Sequence, residues 1–205
     1  MKNFKHSLME SNFSSEDIKK VIKYLKTKNV ILTQNKNVRL FEEKWSKWLG
    51  VKYSVFVNSG SSANLLSISI LKMLNKKKKE VILPALPWSS DVYSVLQNNL
   101  KPVFVDINLN NLSMNLEEVK KKINNKTLAV FITHAQGFNG LTKTFIKYLK
   151  KKKIMLIEDV CESHGATLDG KKLGTFGLIS NFSFYYAHHL STIEGGMICT
   201  NNKDI

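Results

Sequence analysis

Tyr53-Ser-Val-Phe-Val-Asn-Ser-Gly-Ser-Ser-Ala-Asn64 is the stretch on which the fold turns. It passes from a short β-rich run, residues 53–57, through a Gly/Ser turn into a helix predicted over residues 61–74. Gly60 lets the backbone turn closely. Ser61 and Ser62 then offer N–H groups and hydroxyls at a helix N-terminus, where an anion such as phosphate is favoured. The same turn also serves as an ordinary helix cap, so alone it carries little weight as a ligand site.

Downstream the alternation of strand, turn and helix recurs. Apolar runs at 80–83, 102–105, 128–133, 154–157, 182–185 and 197–200 read as strands, and residues 89–98, 116–123 and 141–150 read as helices. Short strands alternating with helices predict an α/β domain around a largely parallel sheet. Upstream, Ser14-Ser-Glu-Asp17 supplies an N-cap and an acidic first turn for a helix to about Lys26. A second amphipathic helix spans 37–49, with Val38, Phe41, Trp45 and Trp48 at helical spacing and assigned to the core. No internal repeat, Pro-rich linker or low-complexity tail interrupts the chain.

The 205 residues, 43% of them hydrophobic, suffice for one globular domain with a real core. No apolar stretch is long enough to span a bilayer, and Met1-Lys-Asn-Phe-Lys-His-Ser-Leu lacks the apolar run of a secretory signal. Two cysteines, Cys161 and Cys199, make neither a disulfide framework nor a metal cluster; a reducing cytoplasm is expected, and no metal site. The formal charge of +15 invites a nucleic-acid reading, but Arg39 is the sole arginine. Base readers and phosphate clamps lean on arginine forks. The lysines bunch at 76–79, 120–122 and 150–153, which read as exposed helix ends and turns. No nucleic-acid partner is expected, though such charge would draw in an anionic substrate.

In an open α/β sheet, ligands gather at the carboxyl ends of the strands, and the polar motifs follow predicted strands. Pro84-Ala-Leu-Pro-Trp-Ser-Ser90 places Trp88 at a strand mouth, either as a flat platform for a ring or as a loop anchor packed on the core. Ile157-Glu-Asp-Val-Cys-Glu-Ser-His-Gly-Ala-Thr167 ends a strand in acid, where a carboxylate can pair with a protonated ring nitrogen. His188 and His189 lie beyond the last aromatic run; a histidine pair so placed is ordinarily structural, or a metal ligand. Lys171 and Lys172 read as an exposed turn between short strands.

In order and spacing, these segments resemble the DegT-type sugar aminotransferases, pyridoxal phosphate (PLP) enzymes of the aspartate aminotransferase-like fold type I. The first turn is similar to that family's S-G-T-A-A-L, the Trp88 loop to P-A-L-T-F-x-A, and the acidic segment to E-D-A-A-Q-A-H-G-A. Asn181-Phe-Ser-Phe-Tyr-Tyr-Ala-His-His-Leu-Ser-Thr-Ile-Glu-Gly-Gly196 resembles F-S-F-Y-P-x-K-N-L-T-T-x-E-G-G. The likeness extends through Lys101-Pro-Val-Phe-Val-Asp106 and Ile132-Thr-His-Ala-Gln-Gly-Phe-Asn-Gly140. It implies that Gly60 and Ser61 contact the cofactor phosphate, that Ser183 adds a hydroxyl, and that Trp88 stacks on the ring. It assigns Asp159 to the ring nitrogen, and Glu162 falls where a glutamine usually contacts the ring hydroxyl.

His188 falls on the lysine that holds PLP as a Schiff base. The rarer members with histidine there are sugar 3-dehydratases that use the amine form, pyridoxamine phosphate (PMP). The resemblance therefore implies removal of the 3-hydroxyl from a nucleotide-linked 4-keto-6-deoxy sugar, in cell-surface polysaccharide synthesis. His188 would be the catalytic base, and glutamate the amino donor that restores PMP. Family members continue into a smaller C-terminal domain and act as homodimers, so residues 1–205 are expected to be the N-terminal segment and cofactor-binding large domain. Two alternatives stand beside this: an ordinary PLP-dependent sugar 4-aminotransferase, which would need lysine at position 188, and an inactive truncation that binds cofactor or a partner.

Overall fold

Strands β1 (Tyr53–Val57), β2 (Glu80–Pro84), β3 (Lys101–Val105), β6 (Thr127–Thr133), β7 (Met155–Asp159), β10 (Ile179–Ser183) and β11 (Gly196–Thr200) build one sheet in the order β1-β11-β10-β7-β6-β2-β3. Two short hairpins, β4 (Ile107–Asn108) with β5 (Ser113–Met114) and β8 (Thr167–Leu168) with β9 (Lys171–Lys172), lie outside it. The computed structural model describes residues 12–205, so the segment read above for a secretory signal lies outside the described residues. The four pairings from β10 to β3 are parallel; β11 alone runs the other way, against both β1 and β10.

Each central strand alternates between two cores, as a sheet covered on both faces requires. On one face Val81, Leu83, Phe131 and Ile157 pack with Ile68 and Leu71 of α3 (Gly60–Leu74) and Val95 of α4 (Ser89–Gln97). On the other, Ile82, Val130, Ile132 and Leu156 meet Val119 of α5 (Leu116–Lys122) and Phe145 and Leu149 of α6 (Lys143–Lys152). A third core, Trp45, Leu49, Phe182, Phe184 and Met197, fastens α2 (Lys36–Leu49) over the β1–β11 end. The predicted α/β class with a mostly parallel sheet flanked by helices is the observed architecture.

Local signals act as expected at the helix ends. Ser14 and Asp17 form a reciprocal capping box at α1 (Ser15–Leu25). The lysine runs at 120–122 and 150–152 are the last turns of α5 and α6, where cations complement the helix dipole. Three readings need correction. The strand placed at 182–185 is Ile179–Ser183, because its polar Ser180 and Asn181 are buried and hydrogen-bonded: Ser180 Oγ donates to Gly174 O at 2.7 Å, and Asn181 Oδ1 accepts from Ser67 Oγ at 2.7 Å. Trp48 is not core; it is 40% exposed, with Lys172 Nζ 5.0 Å from its ring centroid. That lysine and Lys171 form β9, and the turn is Asp169-Gly170, both with positive φ.

Candidate active site

Three strand ends and one helix start converge. Ser59 caps α3, its Oγ accepting from Ser62 N at 3.0 Å and its carbonyl from Ala63 N at 3.1 Å. The N–H groups of Gly60 and Ser61 are thus left at the open end of a 15-residue helix, where dipole and donors favour an anion. A Cβ built on Gly60 would stand 2.6 Å from Ser183 Cβ and 3.2 Å from Cys161 Sγ. Only glycine lets the helix start, the end of β10 and the loop after β7 come this close. Ser183 Oγ, itself accepting from Tyr185 N at 3.3 Å, is thereby held against that helix start.

Asp159 closes β7, opposite Asn181 in the parallel register. It is 3% exposed; its Oδ1 accepts from Cys161 N at 2.9 Å and its Oδ2 from Asn64 Nδ2 at 3.2 Å. Asn64 is oriented from behind by Asn181 Nδ2, which donates to Asn64 Oδ1 at 2.8 Å. Its amide also reaches Asp91 Oδ1 at 2.7 Å and Ser90 Oγ at 3.1 Å. Glu162 Oε2 accepts from Gln136 N at 3.0 Å and from Gln136 Nε2 at 3.3 Å, at a residue held in the left-handed region (φ 53°).

His188 lies half-buried in the coil between β10 and β11, its N–H donating to Tyr185 O at 3.0 Å and its carbonyl accepting from Asn12 Nδ2 at 2.8 Å. Burial holds its imidazole below the usual 6.5, with Glu162 and Asp159 pulling the other way and His189 adding to the depression. The imidazole therefore feels the charge of both carboxylates. His189 is exposed and His164 lies between, ring centroids 6.3 Å from His188 and 5.4 Å from His189. Trp88, at the N-cap of α4, is 61% exposed. Its indole is therefore not packed into the core described above. Gly60, Ser61, Ser183, Asp159 and Glu162 thus provide helix-end donors, a hydroxyl and two carboxylates, a donor set that fits a phosphorylated pyridine.

The profile of the DegT/DnrJ/EryC1/StrS aminotransferase family matches residues 12–205. The chain belongs to this family. It is 37% identical over 204 residues to GDP-4-keto-6-deoxy-D-mannose 3-dehydratase of Escherichia coli O55:H7, covering 98% of this chain and 52% of that protein. A crystal structure of GDP-4-keto-6-deoxymannose-3-dehydratase with a trapped PLP-glutamate geminal diamine superposes with a TM-score of 0.89 at 36% identity, over 97% of this chain and 52% of that one. PseC of Helicobacter pylori, an aminotransferase of pseudaminic acid biosynthesis, gives 0.90 at 29% identity, over 97% and 53%. The chain spans about half the length of the curated relatives it matches.

Four polar residues escaped the sequence reading: Asn64, Asp91, Thr133 and Asn181 join the Asp159 site through side-chain hydrogen bonds. Asp91 reads locally as an acidic residue of a helix first turn, and Asn181 as a break in an apolar strand. The one available signal was polarity inside runs that otherwise read as core. His134, also unassigned, is fully buried and tied to Glu158 Oε2 at 3.3 Å, while its Nδ1 accepts from Gly140 N at 3.1 Å. Glu158 also accepts from the backbone N–H groups of Gly174, Phe176 and Gly177, so this pair fastens the loop before β10.

Proposed function

We propose that the chain is the cofactor-binding large domain of a PMP-dependent nucleotide-sugar 3-dehydratase, one that removes the 3-hydroxyl of a nucleotide-linked 4-keto-6-deoxy sugar in cell-surface polysaccharide synthesis. The observation that carries this reading is a half-buried histidine, His188, standing with Asp159 and Glu162 where the family's aminotransferases keep a lysine. Bound PMP would supply a free amine for the sugar ketone and a conjugated ring to take up electrons.

The chain's own residues do the rest. Gly60 and Ser61 would hold the phosphate with main-chain N–H groups, and Ser183 would add its hydroxyl. Trp88 would offer its indole to the ring. Asp159 would accept from the ring N–H and favour the protonated nitrogen, and Glu162 would be the group for the ring hydroxyl. Histidine cannot anchor the cofactor covalently. It would instead be free to take the proton at the cofactor's methylene carbon, and burial, which lowers the pKa of His188, favours the free base.

The name of the Escherichia coli relative supports this substrate class, and the PLP-glutamate adduct of the structural neighbour supports glutamate as amino donor. Exposed Leu65, Leu66, Tyr93 and Leu96 leave an apolar face on α3 and α4 beside Ser61, suited to a second copy in a homodimer. The test loads the full-length protein with PMP and glutamate, adds GDP-4-keto-6-deoxymannose and follows the sugar by mass spectrometry. A 3-deoxy-4-keto product is expected. A 4-amino sugar retaining its 3-hydroxyl would instead establish the aminotransferase.

A further inference from the structure

Two buried carboxyls meet at the end of β7. Asp91, in the first turn of α4, is fully buried, and Asp159 beside it is 3% exposed. One amide serves both: Asn64 Nδ2 lies 2.7 Å from Asp91 Oδ1 and 3.2 Å from Asp159 Oδ2. Thr133 Oγ1 donates to Asp91 Oδ2 at 2.7 Å, and Cys161 N to Asp159 Oδ1 at 2.9 Å. Among the described residues no ion pair reaches either acid.

The groups that face the pair are neutral. From α3 comes Asn64 and from β6 comes Thr133. Beyond β7, the Cys161 thiol is pushed well above its usual value by burial and by both carboxyls. His188 is kept below its usual value by burial, against the pull of Glu162 and Asp159. Two anions cannot share a dry site and one amide donor without a cation, so the pair holds a proton.

We propose that Asp91 is a positioning residue that keeps the single proton of the Asp91–Asp159 pair and donates it to Asp159, holding that carboxylate ionised and oriented for the cofactor's ring nitrogen. Asp91 is the deeper of the two acids and takes the neutral form; desolvation raises its carboxyl well above the ordinary 3.8, and Asp159 raises it further. A hydrogen bond donated to an anion favours the anion. The part concerning the ring rests on the cofactor reading above; the location of the proton does not.

The sign of the linkage supplies a test without cofactor. The folded protein keeps a proton that the unfolded chain releases above 3.8, so this group's contribution falls as pH rises from there toward its folded value. Asn in its place has no proton to lose. Unfolding midpoints of cofactor-free, full-length wild type and Asp91→Asn are compared from about pH 4.5 to 7.5, where the variant should gain on wild type by up to about tenfold in the folding equilibrium per pH unit. Parallel curves overturn the proposal.

Affinity for PLP, read by absorbance at neutral pH, is the second measurement. Asp91→Asn keeps a donor toward Asp159 and should bind within about threefold of wild type, whereas Asp91→Leu should lose about tenfold or more. Equal losses in both variants would mean that the charge of Asp91, not its proton, is what matters. Should Asp91→Asn not fold, the infrared spectrum of wild type decides: absence of a protonated carboxyl band at neutral pH overturns the proposal. Wild type that binds no PLP sinks the cofactor reading, while the pH comparison still judges the proton.

Discussion

Asp159 and His188 stand on two kinds of structure. Asp159 ends a strand in the middle of a seven-stranded sheet, within a floor in which Asn64, Asp91, Thr133, Asn181 and Ser183 are all buried and hydrogen-bonded. His188 sits in coil, half-buried, secured by one backbone turn to Tyr185 and by the Asn12 side chain reaching its carbonyl. Beside it, the Phe13 ring stacks on Tyr186 at 5.9 Å. Asp159, proposed above as the partner of a ring nitrogen, is made from the core. His188, proposed as the base, is carried on a loop that leans on Asn12 and Phe13. In that proposal rigidity follows role: a floor that preorganises and a lip with fewer ties.

Substitutions on each side should behave differently. The largest effect belongs to the lip: His188→Asn should lower kcat by about 10²–10⁴ with cofactor affinity and unfolding midpoint little changed, measured by single-turnover sugar dehydration and PLP titration. A parallel loss of stability would make His188 part of the floor. The floor itself is broken by Gly60→Ala, whose new Cβ meets Ser183 Cβ at 2.6 Å. A destabilisation of about 1–3 kcal/mol is expected from such overpacking, with weaker PLP binding; denaturant unfolding reads the first and absorbance the second.

His164 lies between the two regions, packed on Trp45, Phe182 and Phe184, with both ring nitrogens buried and without a hydrogen-bond partner among the described residues. Burial first, then its neighbours His189 and His188, lower its pKa to about 3. The folded protein therefore binds fewer protons than the unfolded chain below pH 6.5, and stability from this group is lost as pH falls from 6.5 toward 3. His164→Phe should spare about 1 kcal/mol of the loss between roughly pH 7 and 5.5, seen as a flatter acid limb of midpoint against pH. Smallest is Asn12→Ala, which frees the lip by one exposed hydrogen bond; about 0.5 kcal/mol or a twofold change in kcat is expected, and an unchanged rate would show that the loop needs no such tie.

Much of the lip was legible because its signal is local. His188 is noticed from its place among Phe182, Phe184, Glu194 and Gly196 without knowing any distant contact. The strands at 53–57 and 128–133 were readable for the same reason, as compact apolar runs with turn residues at their ends. The floor was not. Asn64 meets Asp91 across 27 residues and Asp159 across 95, and Thr133 meets Asp91 across 42. Only the crossovers of the sheet bring those side chains together, and polar residues inside a strand look like loop until their partners are known. Ser180 and Asn181 moved the start of β10 for that reason.

The single reversed strand also sets an order of events in synthesis. Among the described residues β1 pairs with β11 alone, and the seam is continued by Lys52 N donating to Asn201 Oδ1 at 2.9 Å across 149 residues. Strand β1 must wait for β11 before it can pair. Until residue 200 has emerged, β1 and the edge of β10 both present open hydrogen-bonding groups, and loop closure over that span is slow. Nascent chains halted inside the His188 loop are accordingly the ones for which a chaperone should have the greatest use.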